Sequence, residues 1–134
     1  MLDNKINLLV IDDDDINIFI IKKIVEKTGY DIDMVAKSNG QLAIDYVNDT
    51  LANNVDKFPN LILIDINMPV MNGWEFVEAY STISGTPEAD LYILSSSVYE
   101  NDIEKTKSYP NVNGFISKPL SIERLTELLK AITV

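Results

Sequence analysis

Apolar residues along this chain fall into short continuous runs, separated by longer stretches in which they recur every three or four positions. The plainest run is Leu61-Ile62-Leu63-Ile64, which leads directly into Asp65. A run without polar alternation fits a strand covered on both faces, and such strands belong to parallel sheets flanked by helices. Ile6-Asn7-Leu8-Leu9-Val10-Ile11, Leu91-Tyr92-Ile93-Leu94 and Gly114-Phe115-Ile116-Ser117 also read as strands. The stretch from Asp31 to Ala36 alternates partly and reads as a shorter strand at a sheet edge.

The intervening stretches predict helices. From Ile16 to about Thr28, Ile16, Ile20 and Ile24 recur every fourth residue, and Ile21 and Val25 widen the stripe. Asp14 or Asp15 can cap that helix and Gly29 can close it. After an Asn39-Gly40 turn, Gln41 to about Ala52 draws its apolar side from Leu42, Ile44, Tyr46, Val47 and Leu51. Trp74 to about Ile83 packs through Phe76, Val77 and Tyr80. The stretch from about Tyr99 to Ser108 is poor in large apolar residues, with Ile103 as its one aliphatic anchor. It is predicted to pack weakly and move easily. Ser121 caps a last helix carrying Ile122, Leu125, Leu128, Leu129 and Ile132 at helical spacing. Strand and helix thus alternate five times over residues 1–134, as one domain without linker or repeat. Right-handed crossovers turn that alternation into a three-layer, doubly wound α/β sandwich around a five-stranded parallel sheet.

Parallel strands end on the same side, and four of these ends carry polar groups: Asp12 and Asp13, Asp65, Ser95, and Lys118. Each has an ordinary explanation taken alone, since Asp favours turns and Lys favours solvent. Together they have a chemical logic. Three carboxylates crowded at one edge repel one another unless a cation neutralises them. An all-oxygen ligand set suits Mg²⁺ or another hard divalent ion. A carboxylate beside such an ion can attack phosphorus and carry an acyl phosphate, whose oxygens a lysine and a hydroxyl can stabilise. Asp14 and Asp15 go beyond the pair this chemistry needs.

Composition narrows the field. The 134 residues include no Cys and no His, so thiol nucleophiles, disulfides and imidazole chemistry are absent from the chain. Acids outnumber bases 21 to 11, a net charge of −10, which repels nucleic acid. Met1 to Ile6 lacks the basic start and apolar core of a signal peptide, and no apolar run is long enough to insert in a membrane. A cytoplasmic location is expected.

In this order and at these strand ends, four motifs resemble the receiver domains of bacterial response regulators, the family of the chemotaxis regulator. They are Ile11-Asp12-Asp13; Asp65 followed by Met68-Pro69, Met71 and Gly73; Leu94-Ser95; and Phe115 followed by Lys118-Pro119. The resemblance covers essentially the whole chain. It implies a flavodoxin-like fold with strand order 2-1-3-4-5. It implies that Asp65 is the phosphoacceptor and that Asp13, with help from Asp12, Asp65 and the backbone carbonyl of Asn67, holds Mg²⁺. It implies that Ser95 and Lys118 grip the phosphoryl group, and that Ser95 and Phe115 form the switch, with Phe115 turning inward on activation. The output face would then be the fourth helix, the fifth strand and the last helix, and the Lys118–Pro119 bond is usually cis in this family. The partners implied are a histidine kinase or histidine phosphotransfer protein and a downstream protein target. The only chemistry catalysed would be the domain's own phosphorylation and dephosphorylation in a two-component phosphorelay. Ser95 stands where Thr is common, and Phe115 where Tyr also occurs.

An alternative is a haloacid-dehalogenase-like phosphatase, which also uses a strand-end Asp and Mg²⁺. That chemistry needs a second Asp two residues on as general acid, and Asn67 occupies the position. A nucleotide-binding module would need a Gly-x-Gly-x-x-Gly or P-loop Lys after the first strand, and neither is there. An inert receiver-like scaffold would not need the intact acid pair, Asp65 and Lys118.

Overall fold

The computed structural model describes residues 5–96 and 100–133. Its elements are β1 (Ile6–Ile11), α1 (Asp15–Lys27), β2 (Ile32–Lys37), α2 (Gly40–Asn53), β3 (Leu61–Ile64), α3 (Gly73–Ser81), β4 (Asp90–Ser95), α4 (Glu100–Lys107), β5 (Gly114–Ser117) and α5 (Ile122–Thr133). A short 3₁₀ turn, Val55–Lys57, follows α2. All five strands pair in parallel in the order β2-β1-β3-β4-β5. The expected doubly wound sheet is therefore present, with β2 at an edge.

Each continuous apolar run feeds two cores at once, because successive strand residues face opposite ways. Leu9, Ile11, Ile62, Ile64, Leu91 and Ile93 join Ala43 and Val47 of α2 and Phe76 and Val77 of α3 on one face. Leu8, Val10, Leu61, Leu63 and Leu94 join Ile21 of α1 and Leu125 and Leu129 of α5 on the other. Phe115 is half-buried against the first of these cores.

Capping follows local chemistry. Asp14, not Asp15, is the N-cap of α1, and its carboxylate accepts from the Ile16 and Asn17 N–H groups. Asn39 caps α2, and Asn72 with Glu75 forms a reciprocal capping box at α3. Ser121 Oγ accepts from Arg124 N at 3.0 Å, as expected of the cap of α5. Gly29, at φ +79°, sits just past the Thr28 C-cap, as the sequence suggested.

Three packing expectations are corrected. On α1 the buried positions are Asn17, Ile21 and Val25, while Ile16 is 71% exposed and Ile20 39%. The inward stripe is thus rotated by one residue, and a polar side chain opens it. On α2, Leu42 is exposed and Ala43 and Thr50 are buried in its place. Ile103 does not anchor α4, since it too is exposed. Among the described residues of α4 it is Thr106 that is buried, and its hydroxyl donates to the Asp102 carbonyl at 2.9 Å. The expected start of α4 at Tyr99 lies outside the described residues. The end of α4 is held instead from α3. Tyr109 stacks on Trp74 with ring centroids 5.4 Å apart, and Lys105 Nζ lies 5.1 Å from the Trp74 ring. The Tyr109 hydroxyl donates to Glu78 Oε1 at 3.0 Å.

The turn from β3 to α3 is drawn tight against the end of the strand. Gly73 N donates to the Ile66 carbonyl at 2.8 Å. A Cβ at Gly73 would run into the Asp65 carbonyl oxygen and lie 2.9 Å from Ile66 Cα. Gly73→Ala should therefore destabilise the protein by about 1–3 kcal/mol, the usual cost of overpacking against backbone. Urea denaturation checks this, and an unchanged midpoint would show that the turn relaxes freely.

Candidate phosphoacceptor site

Strand register decides which side chains meet. Ile11 of β1 is paired with Ile64 of β3, so the next residues, Asp12 and Asp65, stand side by side beyond the sheet. Asp65 N donates to the Ile11 carbonyl at 2.9 Å, which extends the ladder to the acid itself. On the other flank, Ser95 of β4 is paired with Ser117 of β5, and Lys118 N donates to the Ser95 carbonyl at 2.9 Å. Lys118 thus follows directly from the end of β5, and its bond to Pro119 is cis.

The carboxylates of Asp12, Asp13 and Asp65 converge, with one oxygen from each lying within 4.8 Å of the others. Asp12 and Asp65 are buried and Asp13 is exposed. An all-carboxylate set with one solvent-facing member fits a hard divalent cation that keeps some of its water. The expected ion ligands are therefore gathered as far as side chains go. Asn67 lies exposed in the loop two residues beyond Asp65. Ser95 is buried at the end of β4, and Phe115 lies on β5 opposite Ile93.

Lys118 is the cation already among these acids. Its Nζ lies 2.8 Å from Asp12 Oδ2 and 3.4 Å from Asp65 Oδ2. The resemblance assigns this lysine to the phosphoryl group on Asp65, and here its shorter contact is to Asp12. Asp65 Oδ1 accepts from Ile66 N at 2.8 Å. Burial, reinforced by the Asp12 charge, raises the Asp65 carboxyl above the ordinary carboxylate value, and Lys118 offsets this only in part. Burial alone would lower Lys118, but its hydrogen bond to Asp12 and the charge of Asp65 outweigh that and raise it. The pair therefore favours the lysine's charge more than that of Asp65.

One functional contact escaped the sequence. Asn17 of α1 is 7% exposed, and its Nδ2 donates to Asp12 Oδ2 at 2.7 Å. The signal available was an amide set among Ile16, Ile18, Phe19 and Ile20 in the apolar first half of α1, four residues before Ile21. Asp12 Oδ1 also accepts, from Asp14 N at 2.9 Å.

Residues 8–130 match the family described as the response regulator receiver domain. The polar-differentiation response regulator DivK of Brucella anthropi is 22% identical over 125 residues, covering 93% of this chain and 94% of DivK. The sensor histidine kinase CheAY of Helicobacter pylori is 29% identical over 123 residues, which are 92% of this chain and 14% of that protein. The crystal structure of a two-component response regulator from Cytophaga hutchinsonii superposes with a TM-score of 0.85 at 32% identity, covering 96% of this chain and 97% of its own. Among the described residues, no helix is long and apolar enough to cross a membrane. With sequence match, sheet order and the acidic strand ends in agreement, the chain belongs to the response regulator receiver domain family of two-component signalling.

Proposed function

We propose that Asp65 accepts a phosphoryl group from a phosphohistidine of a kinase or phosphotransfer protein, and that the resulting acyl phosphate switches the surface formed by α4, β5 and α5. The observation that carries this reading is the convergence of Asp12, Asp13 and Asp65 with Lys118 between Asp12 and Asp65. In the transfer, an Asp65 Oδ forms a bond to phosphorus as the phosphorus–nitrogen bond of the donor breaks and its imidazole leaves. Hydrolysis reverses the modification: water attacks phosphorus, the phosphorus–Oδ bond breaks, and the Asp65 carboxylate is regenerated as inorganic phosphate is released. These two steps on itself are the only reactions assigned to the domain.

Receiver domains bind Mg²⁺ at an acidic pocket. Here Asp12, Asp13 and Asp65, with the Asn67 carbonyl, would hold the ion, which would neutralise the acids and the oxygens of the incoming phosphoryl group. Lys118 pairs with the phosphoryl group on Asp65, and Ser95 donates to it from the end of β4. As Ser95 shifts, Phe115 on the neighbouring strand gains room to move inward. The α4 segment, held through Trp74 and Tyr109 more than through apolar side chains of its own, can then repack at small cost. Exposed apolar residues flank the cleft in sequence. Ile16, Phe19 and Ile20 lie on α1 just after the acidic pair, and Val70 lies in the loop after Asp65. They give a phosphodonor protein an apolar surface near the acceptor. The net charge of −10 disfavours nucleic acid as a partner, and the working site is the cytoplasm.

Incubation with Mg²⁺ and acetyl phosphate should add one phosphoryl group by intact mass, and Asp65→Asn should abolish it. Labelling of the variant at the wild-type rate would overturn the assignment.

The same substitution should stabilise the metal-free protein. The folded-state pKa of Asp65 is raised, so its ionised form opposes folding at neutral pH and its protonated form does not. Asp65→Asn should therefore raise the melting temperature at pH 7. The difference from wild type should shrink as pH falls through the raised value toward the ordinary 3.8. A variant less stable than wild type at pH 7 would contradict this.

Ser95→Ala should still be phosphorylated on Asp65 but lose much of the response at the output face. Hydrogen exchange with and without beryllofluoride reads this. Wild-type changes confined to α1 and β2 would rule out the proposed switch, whatever the acceptor.

A further inference from the structure

Asn17 is the polar member of the inward face of α1, in line with Ile21 and Val25 at intervals of four residues. A buried amide in that place needs a partner, and it has one in the site. Its Nδ2 and Lys118 Nζ donate to the same oxygen, Asp12 Oδ2, at 2.7 and 2.8 Å. The other oxygen is held by Asp14 N at 2.9 Å. Asp12 thus has its orientation fixed from α1, from its own turn and from β5.

The shared oxygen creates a conflict that Asn17 can resolve. To pair with a phosphoryl group on Asp65, Lys118 must give up its closer contact with Asp12. A buried carboxylate oxygen stripped of its donor is costly. We propose that Asn17 is a positioning residue of the phosphoacceptor site: it fixes the Asp12 carboxylate toward the divalent ion and keeps Oδ2 hydrogen-bonded as Lys118 turns to the phosphoryl group. This rests on Asp65 being the acceptor. Partners that orient an ion's carboxylate ligands act in this way in other metal sites.

Two nearly isosteric variants separate the two duties. Asn17→Leu keeps an apolar fit beside Ile21 and removes the donor. Its Mg²⁺ affinity, by calorimetry, should fall about tenfold, the low end of what loss of a ligand-orienting partner costs. Asn17→Asp removes the donor but adds a negative charge. It should bind Mg²⁺ at least as tightly as wild type, yet be phosphorylated by acetyl phosphate about tenfold more slowly at saturating Mg²⁺, because Lys118 is now held by a second carboxylate. A residue that only supports the fold would not split affinity from rate in this direction. Wild-type Mg²⁺ affinity in Asn17→Leu, or a wild-type rate in Asn17→Asp, would overturn the proposal. If Asn17→Leu does not fold by circular dichroism, the rate of Asn17→Asp decides. Wild-type protein that takes no label on Asp65 would instead overturn the acceptor reading.

Discussion

Carboxylates do not gather in a half-buried cleft of their own accord. The pairing of Ile11 with Ile64 forces Asp12 and Asp65 together beyond the sheet, and Asp13 joins them. With an oxygen from each within 4.8 Å of the others and an effective dielectric of about 20, the Asp12–Asp65 repulsion is at least about 3 kcal/mol. Lys118 meets part of that demand, while burial, reinforced by the Asp12 charge, keeps the Asp65 carboxyl raised. The chain therefore folds around an electrostatic debt that a divalent cation, and then a phosphoryl group gripped by Lys118, is suited to settle. Sheet order, helix caps and the tight Gly73 turn all serve to hold those acids in register.

The same constraint orders the rest of the molecule. The apolar cores on both faces of the sheet hold the strand ends rigidly, and the capping box at Asn72 and Glu75 fixes the start of α3 beside the Asp65 loop. The stack of Tyr109 on Trp74 then ties that start of α3 to the chain leaving α4. The end of α4 is joined to α3 by that stack, by Lys105 over the Trp74 ring and by the Tyr109 hydroxyl on Glu78. That is the arrangement expected where a local change in charge is to be read on a distant surface.

The sheet was legible because continuous Leu and Ile runs have few other fates in a chain of this size. The site was legible because parallel strands bring their ends together, so acids far apart in sequence could be placed side by side. The inward face of α1 was not. Ile16, Ile18, Phe19, Ile20, Ile21, Ile24 and Val25 leave the helix apolar nearly all round, and spacing cannot choose among its faces. The inward face is the one on which Asn17 meets Asp12, five residues earlier in the chain, and apolar spacing does not announce a polar inward position. Ile103 failed as an anchor for a related reason, since α4 is held by rings from outside the helix. The preference of Lys118 for Asp12 over Asp65 depends on distances that motif order does not carry.

On the proposed function, Lys118 serves Asp12 at rest and the acceptor once the phosphoryl group is on Asp65. A crystal structure of the protein with Mg²⁺ and beryllofluoride tests it most directly. The expected result is a cation ligated by Asp12, Asp13 and Asp65, beryllofluoride on Asp65, and Lys118 Nζ against a fluoride with its 2.8 Å contact to Asp12 broken. Beryllofluoride bound on Asp65 with Lys118 still seated on Asp12 would contradict it.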